Sequence, residues 1–211
     1  MTRKLVLPCL VLLLVAACSS GRNSESAPAQ SAARPAPRQA EYETGRTALQ
    51  KMYLAARLWA ADVKLFRLQS QFTPDAPSGE GKAGLWRASL ASPSRRAMKL
   101  FVWSGLTGTD APEPGVSFSA EDSWNAANAS THIFDLGFLK VDSDKAYEVA
   151  QQHGGEKLTR KDPSQPVFFV LDWDNQKNQL VWHVIYGASS DESRLRIAVD
   201  ATGGEFLRVE K

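Results

Sequence analysis

The chain has 211 residues, of which 23% are charged and 9% aromatic, and its formal net charge is +2. Without Arg3 and Lys4 the charge is zero; residues 19–40 carry three arginines against one glutamate, which leaves residues 41–211 near −2. The length fits one sizeable domain or two small ones, and the missing basic excess argues against a nucleic-acid partner.

Arg3 and Lys4 open the chain, and residues 5–17 form an apolar run of thirteen broken only by Pro8. A helix crossing a bilayer needs about twenty such residues. A basic start, a short apolar centre and small residues fit a signal peptide instead. Within it, Val15-Ala16-Ala17-Cys18 resembles the bacterial lipobox, an aliphatic residue and two small ones before a cysteine. The resemblance implies cleavage before Cys18, a diacylglycerol on its thiol and a further acyl chain on the freed amine. Ser19, where Asp would signal inner-membrane retention in enteric-type bacteria, implies an outer-membrane anchor facing the periplasm. Cys9 would leave with the signal, so the mature chain would hold no disulfide and no cysteine metal site.

Residues 19–40 contain no Val, Ile, Leu, Met, Phe, Tyr or Trp. Such a stretch cannot bury enough apolar surface to offset the entropy of ordering, so it reads as a disordered tether of at most about 70 Å. Residues 41–61 read as a helix, because Leu49, Met52, Tyr53, Ala56 and Trp59 or Ala60 recur every three or four positions. The period then shortens. Residues 62–72 look extended, Pro74, Pro77, Gly79, Gly81 and Gly84 interrupt, and residues 85–90 and 97–103 are strands around a Ser-Pro turn. Residues 104–115 are a Gly- and Pro-rich loop. Within 117–138, His132-Ile133-Phe134 is a short strand candidate.

Ser143 is a candidate N-cap with Asp144 in the first turn. Ala146, Tyr147, Val149, Ala150 and His153 form one helical face, which Gly154-Gly155 should stop. Strands follow at 167–172, 180–186, 194–200 and 205–209, with turns at Asp174-Asn175 and Thr202-Gly203-Gly204. No helix separates them, so their sheet should be antiparallel.

The two halves can be aligned. Trp86 falls on Trp182, and Leu100-Phe101-Val102 falls on Ile197-Ala198-Val199 with one inserted residue. This fits either a repeated unit or two unrelated hairpins, since all such hairpins alternate. Ser143 to Ala150, Leu180-Val181-Trp182-His183-Val184 and the stretch from Val199 to Phe206 together resemble a PepSY domain of bacterial envelope proteins. Ala146 and Ala150 come one position early, and Gly203 stands where that pattern has Thr. The resemblance implies a helix on an antiparallel sheet, similar in outline to cystatins, and a role in modulating peptidases or binding envelope components.

No constellation for catalysis appears. His132, His153 and His183 sit in separate elements. The run from Asp172 to Asn178 has Lys177 and His183 where a calcium loop needs Gly and Glu, so it reads as a hairpin turn. The run from Gly79 to Gly84 matches a dinucleotide fingerprint by letter, but lies between a Pro-rich loop and a strand and reads as a flexible loop. Asp142/Asp144 and Glu121/Asp122 read as helix-start and loop charges.

The expected fold is therefore α+β, a cystatin- or PepSY-like helix packed on an antiparallel β-sheet. Its parts are a signal peptide (1–17), lipidated Cys18 with its tether (18–40), an N-terminal α+β unit (41–140) and a PepSY-like unit (141–211). The expected function is a non-enzymatic, lipid-anchored periplasmic binding or regulatory module without cofactor or metal. Its partners would be the membrane, through Cys18, and an envelope protein or peptide. The alternative is a carrier or sensor of a small apolar ligand, with Trp86, Trp103, Trp173 and Trp182 lining its pocket.

Overall fold

The computed structural model describes residues 39–73, 78–108, 111–187, 189 and 191–210. The signal segment, the lipobox with Cys18 and residues 18–38 lie outside the described residues. Residues from Pro37 to Lys211 form one unit. In chain order its elements are β1 (Glu43–Thr44), α1 (Gly45–Trp59), β2 (Lys64–Ser70), β3 (Lys82–Ala83), β4 (Leu85–Ser92), β5 (Ala97–Ser104), β6 (Gly115–Phe118), β7 (Asp122–Ser123), α2 (Ser143–Ala150), α3 (Glu156–Lys161), β8 (Val167–Asp174), β9 (Gln179–Tyr186), β10 (Leu195–Asp200) and β11 (Phe206–Glu210). Short 3-10 turns lie at Ala129–Thr131 and Leu136–Phe138.

Nine strands make one antiparallel sheet in the order β11-β10-β9-β8-β2-β4-β5-β6, with β7 also on β5. Each half of the chain is a helix followed by a four-stranded meander. The meanders meet through their first strands, where Leu68 pairs with Leu171. Both helices pack on the same side of the sheet. α1 buries Ala48, Leu49, Met52 and Ala56, and α2 buries Ala146 and Ala150. Small residues on both helices let the backbone approach the strands closely. The core beneath them is continuous across both halves and includes Leu68, Trp86, Phe101, Phe169, Leu171, Trp182, Ile197 and Val199. Each large side chain buried here contributes about 1.5–3 kcal/mol relative to exposure.

Trp86 and Trp182 meet edge to face at the middle of this core, with ring centroids 6.4 Å apart. Each indole N–H donates to a carbonyl two residues before a helix, Trp86 to Glu43 and Trp182 to Val141, both at 2.9 Å. Gly45 opens α1 against the two rings, where a Cβ would stand 2.7 Å from Trp182 and 3.1 Å from Trp86. The helix N-termini are joined as well. Asp142, the N-cap of α2, accepts from Ser143 N at 2.7 Å and from Arg46 N of α1 at 2.8 Å. Ser143 Oγ accepts from Gly45 N at 2.8 Å and donates to Gly81 O at 2.6 Å.

Several expectations need correction. Trp86 stands opposite Trp103 and Trp182 opposite Val199, so Phe101 corresponds to Ile197 and no residue is inserted between the halves. Asp142, not Ser143, caps α2; the shorter Ser143 side chain is fully buried between the helices. By contrast, the helix does stop at Gly154 as expected: His153 and Gly154, the latter with φ of +118°, leave helical geometry, and a separate short helix, α3, starts directly after Gly155. His132-Ile133-Phe134 is not a strand, and only Phe134 bridges to Leu65. The run from Gly79 to Gly84 is ordered by β3, which pairs with β1.

Candidate functional site

The helix-free side of the sheet carries a polar surface assembled from strands of both halves. A bulge in β2 creates its centre. Leu65 pairs with Leu90 and Arg67 with Ser89, so Phe66 and Arg67 together oppose one residue of β4. Leu65 and Leu68 remain in the core beneath the helices, while Phe66 joins a second cluster on the other side with Ala91 and Trp124. A bulge of this kind re-aims a side chain. Here it delivers Arg67, which donates through Nε to Gln69 at 3.1 Å and approaches Asp172 at 3.5 Å.

Arg67 and Gln69 line a cleft of about 320 Å³ whose other walls include Gln71, Phe168, Val170 and Ser189. Gln71 Oε1 and Arg87 Nε are buried without a hydrogen-bond partner among the described residues. Arg87 pairs across the ladder with Gln69, on the same face as the cleft. Leaving a buried polar atom unpaired costs about 1–3 kcal/mol. A ligand in the cleft able to donate to Gln71, which lines it, would recover part of that cost. Phe168 and Val170 add an apolar floor.

Beside the cleft runs an ionic ladder. His183 lies between two carboxylates, Nδ1 at 2.6 Å from Glu210 and Nε2 at 3.1 Å from Asp172. Burial alone would lower its pKa. Hydrogen bonds and charge from Asp172 and Glu210 outweigh that and raise it to about 9. Glu210 is pushed up by burial but held below the usual carboxylate range by His183, Arg208 and Arg196. Arg208 bridges Asp174 at 3.1 Å and Glu210 at 2.7 Å. Both imidazole nitrogens face carboxylate oxygens, which favours the doubly protonated cation and ties it into the sheet.

The helix side is different. An apolar groove of about 360 Å³ runs between α1 and the Leu136–Phe138 turn, lined by Arg46, Leu49, Gln50, Tyr53, Leu54, Leu136 and Leu139. Arg46 crosses its end and donates to Leu139 O at 2.6 Å.

The structure does not bring the three histidines together. His132 stacks on Trp173 with centroids 5.5 Å apart, His153 stacks on Phe206 at 3.9 Å, and His183 is in the ladder. Among the described residues no group of three or more His, Cys, Asp and Glu is placed to hold a metal. Asp174 accepts from Gln176 N and Lys177 N at the hairpin between β8 and β9, the turn the sequence suggested. Trp86, Trp103 and Trp182 are core residues, and Trp173 packs against Phe134 and Phe138, so these tryptophans line no common pocket. Cys18, the lipidation site read from the sequence, lies outside the described residues. The cleft was not legible locally. Its side chains come from β2 and the residues that follow it, from β8 and from Ser189 beyond β9, and the bulge that turns Arg67 has no marker such as glycine.

The fold defined by these elements is α+β, with helices packed on one face of a large antiparallel sheet. It is similar to the crystal structure of a candidate lipoprotein (CD1622) from Clostridium difficile 630, with a TM-score of 0.50 and 14% identity, over 81% of this chain and 94% of that one. At that identity the likeness is one of fold. No family model and no curated protein matches the chain.

Proposed function

We propose that this protein is a lipid-anchored binding module of the bacterial envelope, without catalytic activity, that holds an extended polar segment of a partner protein or peptide in the cleft around Arg67. The run Val15-Ala16-Ala17-Cys18 carries the anchoring half of the reading. The chain after it has no large apolar residue until Tyr42, a composition suited to a spacer. The fold likeness to a candidate lipoprotein supports an envelope setting. Acyl chains on Cys18 would make a stable anchor, since two chains suffice where one is marginal. Outer-membrane sorting follows from Ser19 in this reading. The helix-then-meander plan of both halves supports one PepSY- or cystatin-like unit used twice, paired about the contact of Trp86 with Trp182.

The unpaired Arg87 Nε and Gln71 Oε1 carry the binding half of the reading. Gln71 lines the cleft with Arg67, an acceptor and a cation that the N–H groups and a nearby carboxylate of an extended peptide would satisfy, and Arg87 lies on the same face opposite Gln69. A photo-crosslinking residue at Gln69, expressed in cells of the source bacterium, should capture a defined envelope protein. The Arg67→Ala chain should lose most of that product. Capture of nothing above background, or capture indifferent to Arg67, contradicts the assignment of the cleft. The alternative, a carrier of a small apolar ligand, finds its best support in the groove beside α1.

A further inference from the structure

Seven large apolar side chains are exposed among the described residues, and six of them lie on the helix side. Leu54 and Leu58 project from α1, 74% and 91% exposed. Val116 and Phe118 of edge strand β6 pair with Trp103 and Phe101, whose side chains face the helices. Val209 pairs with core residue Ile197, and Phe138 packs on Trp173 beside the groove. The opposite side of the sheet carries Arg67, Asp172, His183, Arg208 and Glu210 instead.

The charges on α1 are of one sign, whereas α2, on the same side of the sheet, also carries Asp144 and Glu148. α1 contains Arg46, Lys51 and Arg57 and no acidic residue. Lys51 pairs with Glu43 at 2.7 Å, and Glu121 is held by Arg95 at 2.8 Å. Arg46 and Arg57 donate to the carbonyls of Leu139 and Ala61, and no carboxylate lies within ion-pair distance of either among the described residues. Lys99 Nζ lies over the rings of Trp59 and Phe118 at 5.4 and 5.2 Å and 4.0 Å from Glu121. Leu54 and Leu58, with Arg46 and Arg57 of the same helix outside any ion pair among the described residues, fit the pattern of a helix face that rests in an anionic bilayer interface.

The chain arrives on the same flank. Glu41 N donates to Gly105 O at 2.8 Å, and a recess joins Gln39 and Glu41 to Trp103, Pro114 and Gly115, next to β6. Twenty residues lie between Cys18 and Gln39, a span that reaches no more than about 75 Å. An anchor at Cys18 would keep this face at high effective concentration near the bilayer.

We propose that the helix side, through Leu54, Leu58 and Phe118 with Arg46 and Arg57, docks on the surface of an anionic membrane. The polar cleft on the other side of the sheet is then turned toward the periplasm. The orientation rests on the anchored reading above; the docking is measured without acyl chains, so the two can fail separately.

The test uses the chain from residue 18 onward carrying Cys18→Ala, floated with vesicles of phosphatidylcholine alone or with 30% phosphatidylglycerol. The chain should float with the anionic vesicles and lose that partition at high salt. Leu54→Ser with Leu58→Ser should lower the partition about tenfold or more, with an unchanged melting temperature because both residues are exposed. Arg57→Glu should weaken it as well. The arginines of the tether are the same in every variant, so their attraction alone would leave the partition unaltered. Equal flotation of parent and Leu-to-Ser chains overturns the proposal, as does no flotation. A dimer in sedimentation that the two serines abolish, with no vesicle binding, assigns the face to a second copy and also overturns it.

Discussion

Asp142→Ala removes a carboxylate that serves two helices at once. Its Oδ1 accepts from Ser143 N of α2 and Arg46 N of α1, at 2.7 and 2.8 Å. Thr44, the residue before α1, makes no side-chain cap of its own. An ordinary N-cap is worth about 1 kcal/mol, and a hydrogen bond to a charged group about 1.5–3. Loss of both bonds should cost about 2–4 kcal/mol, or roughly 4–16 °C of melting temperature for a unit of this size. Asp142→Asn keeps an acceptor and should stay within about 1 kcal/mol of the parent. Asp135→Ala, which uncaps only the exposed turn at Leu136–Phe138, should cost no more than about 1 kcal/mol. Urea unfolding followed by tryptophan fluorescence gives all three values. A loss of about 1 kcal/mol or less for Asp142→Ala would refute the argument that this side chain joins the two halves.

Three further outcomes follow from the geometry. The folded-state pKa of His183, about 9 against an ordinary 6.5, means the native state holds a proton that the unfolded chain releases. This stabilisation is complete below pH 6.5 and lost as pH rises to 9. It amounts to about 3 kcal/mol at most. Unfolding midpoints between pH 6 and 9.5 should fall for the parent and stay flat over that window in His183→Gln. Trp182→Phe should cost about 2–4 kcal/mol, because it opens a void and leaves Val141 O unpaired in the core; a loss under 1 kcal/mol in urea would contradict that contact. Gly81→Ala should be more severe than a typical surface change. Gly81 has φ of +79°, and a Cβ there would stand 2.1 Å from the Asp144 backbone, so thermal melting should show a drop larger than the ~1 kcal/mol of a lost helix cap.

The strands with one buried face were legible because alternation encodes that face directly. β4, β5, β8, β9 and β10 follow the predicted segments within two residues at either end. β6 was missed because its alternation, Val116 and Phe118 against Gly115 and Ser117, spans only four residues beside a Gly- and Pro-rich loop, and all four are exposed. The two-residue strands β1 and β3 hold too few residues to show a period. The cap at Asp142 and the burial of Ser143 depend on α1 arriving from 96 residues away, which local sequence does not encode. The one-residue error in aligning the halves came from matching apolar letters instead of cross-strand partners. The pairing of Trp86 with Trp103 and of Trp182 with Val199 sets the correct register. At the candidate site, the aromatic residues attracted attention because they are large, and they turned out to be core. The residues that shape the cleft are common types gathered from β2, β8 and the segments beside them, and only the fold brings them together.

The proposed role stands first on Cys18, because acylation there would bring the protein to a membrane and its cleft within reach of an envelope partner. The most direct measurement is the mass of the N-terminal peptide of the protein purified from its own membranes. The account predicts a peptide that begins at Cys18 and carries a diacylglyceryl thioether and an acylated amine. A peptide that begins elsewhere, or one with an unmodified Cys18 thiol, would contradict it.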